Sequence, residues 1–468
     1  MTSDGPDGSA ALARVFERID EDFDDHLDAI RTYLRQPSVS STGEGVARCA
    51  EMTAELVESC GGRAEVIGTD GHPAVIASID GGGARLLRYG MYDVQPADEP
   101  DWEVAPFSAA IKDRPGIGTV VVARGAANSK GTLAASLLAM KSLGAVADLP
   151  CGVTFLLDGE EELGSPHLPG IVDAHREDLA ADAAYDLDLM ADRTGVPEVF
   201  LGCKGILSLR LSCEGGDWGG PIGGALHSSG GVLVASPAWS VVRALSTLVD
   251  DDERVSIPHL DKVPVPDEDL SLLDDLAERF DPAAYLVESN ARRFKSDVST
   301  REMVEALVYE PAANVNGLFA GRAPGEKTIV PQEASAVVDL RIPYGTDFDA
   351  VGRSVRARIA KVSPEVNVTE SEACPPARTS ANSPVARAMI RSHEDAGQAA
   401  RVWPSAPWWA PYFLFERVLG LPFAIGGAGH CAGAHAANEY ASVEGLRQHM
   451  HQSAALLYRF AEEMKSSV

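Results

Sequence analysis

Apolar residues recur at helical spacing between residues 12 and 34 (Val15, Phe16, Ile19, Phe23, Leu27, Ile30, Leu34), which predicts an amphipathic first helix. A second helix is predicted over 44–60, stopped by Gly61-Gly62. Short apolar runs then alternate with helices. Residues 63–67, 74–79, 85–89, 120–123, 153–157 and 184–189 read as strands, and 130–146 as a helix with Ser129 at its cap. That alternation predicts an α/β domain with a mostly parallel sheet and its motifs at the strand ends.

The pattern changes after Gly205. Residues 206–213 alternate apolar and polar like a half-solvated strand. A helix at 237–249, strands at 315–320 and 334–342, a helix at 348–362 and a strand at 366–372 follow. This is the split βαβ order of an α+β domain, a four-stranded sheet carrying two helices. The acidic stretch 250–300 is expected to be partly helical. From Asn382 the first pattern returns, with helices at 383–396 and 443–464 and an apolar run at 421–425. The expected organisation is a discontinuous α/β domain, 1–205 and 379–468, with an α+β domain inserted at 206–378. The Gly-rich stretch 215–231 lacks the Lys-Ser/Thr and the strand–helix context of a nucleotide cradle.

With 468 residues the chain is too long for one ordinary core, in keeping with two domains. A net charge of −29 argues against nucleic acid and anionic membranes as partners, and is read as a solubility feature. No run reaches the length of a membrane span, and the first ten residues are polar, unlike a signal peptide. Seven cysteines without paired spacing suggest reduced thiols, so a cytoplasmic location is expected.

The densest chemistry lies in Asp158-Gly-Glu-Glu-Glu-Leu-Gly-Ser165. Adjacent carboxylates after an apolar strand allow one Glu to hold a metal while its neighbour serves as general acid/base. Upstream stand Tyr89-Gly-Met-Tyr-Asp-Val-Gln-Pro96 and Arg124-Gly-Ala-Ala-Asn-Ser-Lys-Gly131; downstream stand Ala191-Asp-Arg-Thr194 and His435-Ala-Ala-Asn-Glu-Tyr440. In that order the set resembles the zinc metallopeptidase family of carnosinase, aminoacylase and succinyl-diaminopimelate desuccinylase, over nearly the whole chain. The resemblance implies a metallopeptidase-type catalytic domain with an inserted lid that usually dimerises. It also implies two zinc ions sharing a carboxylate and a water. One ion would be held by positions 91, 128 and 192, the other by 128, 162 and 435.

Glu162, Asp192 and His435 suit those roles. Met91 stands where the family has a ligand His, and Asn128 where it has the bridging Asp. A thioether is a poor zinc donor, and a neutral amide oxygen cannot balance two dications. The expectation is zero or one zinc ion, with Asn128 at best a weak ligand and His430 or Cys431 as conceivable substitutes.

The resemblance makes Glu161 the general base. Asp93, which would orient the missing histidine, must take another task, and crowding of acids predicts a raised pKa for Glu161 or Asp93. His227 resembles the lid histidine that reaches a neighbouring subunit, although the spacing to Pro237 is shifted. Arg341 matches a lid arginine that contacts the substrate carboxylate, with Asn314 as a further substrate-binding candidate. Trp408 and Trp409 lie in a Pro- and aromatic-rich loop where relatives carry a Gly/Ser-rich one. They form either an apolar wall for a bulky substrate or a packed surface cluster. Three readings stay open: a two-zinc dipeptidase, an enzyme repurposed to cleave or form an amide bond of a small peptide-like substrate, and a non-catalytic binder.

Overall fold

Six strands of the first half assemble with two later ones into one eight-stranded sheet in the computed structural model, which describes residues 8–191, 195–321 and 328–466. In chain order they are β1 (Arg63–Ile67), β2 (Ala74–Ile79), β3 (Arg85–Met91), β4 (Gly152–Asp158), β5 (Ala183–Leu187), β6 (Glu198–Phe200), β7 (Arg401–Trp403) and β8 (Phe423–Gly426). Across the sheet the order is β1-β2-β4-β3-β5-β8-β6-β7. The central run β4-β3-β5-β8 is parallel, as is the pair β6-β7; β1, β2 and the β8–β6 contact are antiparallel. The fold class is thus mixed α/β with a largely parallel central sheet.

Strands covered on both faces read as continuous apolar runs, and β4 is buried along its whole length. Lys130–Val146 is buried along most of its length and packs against Phe23–Leu34 and Val443–Ser466. The helix expected over 12–34 is two helices, Gly8–Glu21 and Phe23–Leu34, meeting at Asp22. The apolar stripe runs on from Ile19 to Phe23, so periodicity could not reveal the joint. A second, antiparallel sheet joins Ala110–Arg114, Gly118–Val122, Tyr440–Ser442 and Cys431–Ala432. The pairing of Ala441 with Val121 brings the 124–131 and 435–440 motifs side by side.

The chain divides into two compact units. The first comprises Met1–Gly202, Arg378–Pro404 and Leu414–Val468; the second comprises Cys203–Ala377 and Ser405–Phe413. The second carries four antiparallel strands in the order Ala312–Ala320, Glu333–Ile342, Gly205–Glu214 and Asn367–Cys374. Leu207, Leu209, Leu211, Val338 and Leu340 form its core with Val241, Val355 and Ile359 of the helices Pro237–Leu245 and Phe348–Val362. The acidic stretch holds the helices Leu270–Arg279 and Pro282–Glu288.

Candidate active site

Ligands of open α/β sheets gather outside the carboxyl ends of the parallel strands. Here β3 ends in Met91, paired in register with Asp158, the last residue of β4. After Asp158 the chain makes one tight turn, Glu161–Leu163, closed by Gly164 at φ +83°. That left-handed conformation favours glycine. The backbone N–H groups of Glu161 and Glu162 donate to Asp93 Oδ1 and Oδ2, each at 3.1 Å. Asp93, fully buried, therefore anchors the turn that presents both glutamates.

Glu162 lies at the centre of a second cluster. Asn128 Nδ2 donates to its Oε1 at 2.7 Å and lies 3.0 Å from His435 Nε2. Gln95 Nε2 donates to Glu162 Oε2 at 2.8 Å, and His435 Nε2 stands 3.2 Å from the same oxygen. Glu162, Asn128 and His435 are thus brought together, with Gln95 as a partner that the sequence reading had passed over. Its place four residues past Met91, in the same motif, was the available signal.

The loop bearing Asn128 is fixed from below by Glu439, which the sequence reading also missed. Its carboxylate accepts N–H bonds from Gly125, Ala127 and Asn128 at 3.0, 2.8 and 2.9 Å and pairs with Arg124 Nη1 at 2.9 Å. Ser129, placed at the helix cap by sequence, makes no capping bond; its hydroxyl donates to Asn128 Oδ1 at 3.2 Å.

Burial and then the charge of Asp158 push the Asp93 carboxyl up to about 8. Loss of water, followed by the charges of Glu162, Asp93 and Asp158, holds the Glu161 carboxyl well above the usual carboxylate range. Both carboxyls are raised, where the sequence reading expected one or the other to be. His435 is raised by its hydrogen bond to Glu162. A protonated carboxyl in a crowded cleft can give a proton to a leaving group as well as take one.

Two of the positions expected to hold metal carry poor donors for zinc. Met91 is buried and offers only its thioether. Asn128 turns an N–H donor, not an oxygen, toward Glu162 and His435. Among the described residues no group of three or more His, Cys, Asp and Glu side chains is placed to hold a metal ion. Asp192 lies outside the described residues. His430 Nε2 sits on Tyr440 Oη at 3.2 Å, and the Cys431 thiol donates to Leu189 O at 3.2 Å, so neither is hydrogen-bonded into the Glu162–His435 pair.

The remaining candidates belong to the second unit. Asn314 Nδ2 and Arg341 Nε converge on Asp339 Oδ2 at 3.3 and 3.0 Å. His227 is exposed in a short hairpin, its Nδ1 2.9 Å from Ser229 Oγ. Trp408 and Trp409 are half-buried, and the Trp408 and Tyr412 rings meet edge-on at 6.4 Å.

The sequence matches the peptidase family M20/M25/M40 over residues 88–463. It is 24% identical to the human Beta-Ala-His dipeptidase over 383 residues, covering 75% of this chain and 72% of that protein. It is 25% identical to the Cysteinylglycine-S-conjugate dipeptidase of Corynebacterium striatum over 317 residues, 66% of each chain. Among solved structures, an M20 family metallo-carboxypeptidase from Sulfolobus solfataricus superposes with a TM-score of 0.86 at 32% identity, covering 93% of this chain and 99% of that one. Human carnosine dipeptidase 1, at 20% identity and a TM-score of 0.79 over 96% of this chain and 99% of its own, shares the fold.

Proposed function

The chain belongs to peptidase family M20/M25/M40, and from that premise we propose an enzyme that cleaves or forms the amide bond of a dipeptide-like or N-acyl amino acid-like substrate. Membership of this metallopeptidase family implies a metal cofactor, typically zinc, and the proposed content is zero or one ion per chain. Glu161 is the proposed general acid/base. The observation that carries this reading is its setting: the peptide N–H donates to Asp93, and burial, followed by the charges of neighbouring acids, raises the carboxyl well above the usual carboxylate range. Asp93 supports it by fixing the turn.

In this reading Arg341 and Asn314 serve the substrate's carboxylate, and Trp408 and Trp409 an aromatic or bulky part. The second unit is the proposed lid and homodimer surface; Val315, Leu318 and Phe319, exposed on its edge strand, are apolar residues suited to burial against a second copy. Seven free thiols accord with a cytoplasmic location. Among the described residues no helix is long and apolar enough to cross a membrane.

The test is turnover of a panel of dipeptides and N-acyl amino acids by wild type and Glu161→Gln, each stripped with chelator and reloaded with zinc. Glu161→Gln should lower kcat by about 10²–10⁴-fold without changing the folded state. Full activity in that variant would remove Glu161 from the chemistry. No turnover of any amide by the wild type would favour the non-catalytic binder, a reading supported by the Met91 and Asn128 replacements.

A further inference from the structure

Three glutamates stand in a row after β4, and Glu161 and Glu162 account for two of them. The third, Glu160, is only 4% exposed, and its side chain is spent on a different part of the chain. Its Oε1 accepts the His72 backbone N–H at 2.9 Å, and its Oε2 lies 2.6 Å from His167 Nδ1. Its main chain also closes the turn that carries the other two. The Glu160 N–H donates to Asp158 Oδ1 at 3.0 Å, and its carbonyl accepts the N–H groups of Leu163 and Ser165, both at 2.9 Å.

The segment that Glu160 holds is tied back to Asp93. His72 Nε2 lies 2.7 Å from Ser40 O, and a carbonyl only accepts, so Nε2 is the donor. The Ser40 N–H donates to Val94 O at 3.4 Å, and the Val94 N–H to Ser38 O at 2.9 Å. Val94 follows Asp93, whose Oδ1 receives the Glu161 N–H. The bonds close into a ring that runs Glu161, Asp93, Val94, Ser40, His72, Glu160 and, through one peptide bond, back to Glu161. Two glycines let its parts meet. A Cβ on Gly71 would stand 1.9 Å from Glu160 Oε1, and one on Gly159 would stand 2.5 Å from Pro73 O, which also accepts from the Tyr92 hydroxyl.

Resting on the reading of Glu161 as the general acid/base, we propose that Glu160 and His72 are positioning residues, which close this ring and so fix the main chain of Glu161 against Asp93. They act through Glu161 and not on the substrate. A reacting group displaced by about 1 Å can cost a hundredfold in rate, so a ring that holds its backbone from both flanks bears directly on turnover.

The test pairs steady-state kinetics on an amide that the wild type turns over with hydrogen exchange of the segment 159–165, read by mass spectrometry on the full chain. Glu160→Ala opens the ring at the carboxylate; His72→Ala keeps the N–H on Glu160 and opens the ring at Ser40. Each should lower kcat about ten- to a hundredfold with KM within about twofold, and the Glu161 and Glu162 amides should exchange about tenfold faster or more. The double variant should be no worse than the more damaging single one, because a ring opened twice is still one open ring. Glu160→Gln keeps an oxygen for the His72 N–H and an N–H for His167, and should return kcat to within about threefold of wild type.

A folded Glu160→Ala with wild-type kcat would overturn the proposal, as would losses that multiply in the double variant. A fall in kcat with unchanged exchange would place Glu160 in the chemistry itself and remove its positioning role. Should Glu160→Ala not fold, His72→Ala decides by the same two readouts. If the wild type turns over no amide, the enzyme reading falls and exchange alone decides on the ring: faster exchange in the alanine variants upholds it, and unchanged exchange sinks it.

Discussion

Asn128 Nδ2 lies 2.7 Å from Glu162 Oε1 and donates a hydrogen bond to it, at the position that the sequence reading assigns to a bridging carboxylate. An amide at that point reverses the local logic. A carboxylate there would face Glu162 as a like charge and would need a cation between them. The amide needs none, because its N–H donates to Glu162 directly.

Asn128→Asp should therefore destabilise the metal-free protein, by roughly 5 °C in Tm, since a charge-assisted hydrogen bond becomes a repulsion. Combined with Met91→His, it should raise zinc content measured by elemental mass spectrometry, and zinc should restore the lost Tm by mass action. If Asn128→Asp melts like wild type in chelator and the double variant takes up no more zinc, the ligand mapping is wrong.

Glu439 gathers three backbone N–H groups and the Arg124 guanidinium while fully buried. Glu439→Ala leaves all four donors without that acceptor, so urea unfolding should show a loss of about 3–5 kcal/mol. Glu439→Gln keeps one acceptor oxygen and should lose less. A loss below about 1 kcal/mol for the alanine variant would mean that the 124–128 loop is held by something else.

The largely parallel sheet and the motifs that carry Asp93, Asn128, Glu161, Glu162 and His435 were legible because strand periodicity and ordered motifs are local signals. The side-by-side placement of the 124–131 and 435–440 motifs was not. It depends on the pairing of Val121 with Ala441, more than three hundred residues apart, through strands of five residues or fewer. Arg88 shows the same limit. In sequence it is one charge in an apolar strand, and only β5, nearly a hundred residues later, supplies the Asp186 that makes its burial tolerable. The loop 405–413, read as a stretch of the first domain, groups with the second unit through Lys204 N–H bonds to Ala406 O and Trp408 O, both 3.1 Å, and no periodicity encodes that.

The Arg88–Asp186 pair lies in the sheet interior, Arg88 1% exposed. Removing one partner leaves the other charge buried alone, which costs about 3–5 kcal/mol, whereas replacing both by apolar groups can be nearly neutral. Arg88→Leu should therefore be severely destabilising in urea unfolding, and Arg88→Leu with Asp186→Leu should recover a large part of the loss. Additive losses in the double variant would show that the bonds to Tyr89 O and Leu187 O, not the ion pair, account for the stability.

Stability should also depend on pH in a way set by two opposed sets of buried groups. Burial pushes Asp93 up to about 8 and, with the charge of Asp186, Asp188 up to about 7; their ordinary value is near 4. Each keeps a proton in the folded state that the unfolded chain releases, so its stabilising contribution is complete at low pH and is lost as pH rises through 7–8. Burial lowers His393 to about 4 and His449 to about 3. Each stays neutral where the unfolded chain binds a proton, so its contribution is complete above about 6.5 and is lost as pH falls below that value. Between about 4.5 and 6.5 the two slopes oppose one another, and above about 6.5 only the carboxyl slope remains. Tm should be nearly flat over the first interval and fall over pH 6.5–8, Asp93 alone accounting for a loss on the order of 2 kcal/mol. Asp188→Asn should make that fall shallower. A Tm that rises across pH 6.5–8 in chelator would show that these carboxyls are ionised in the folded chain, held so by the N–H groups on Asp93 and the Thr132 hydroxyl, which lies 2.8 Å from Asp188 Oδ1.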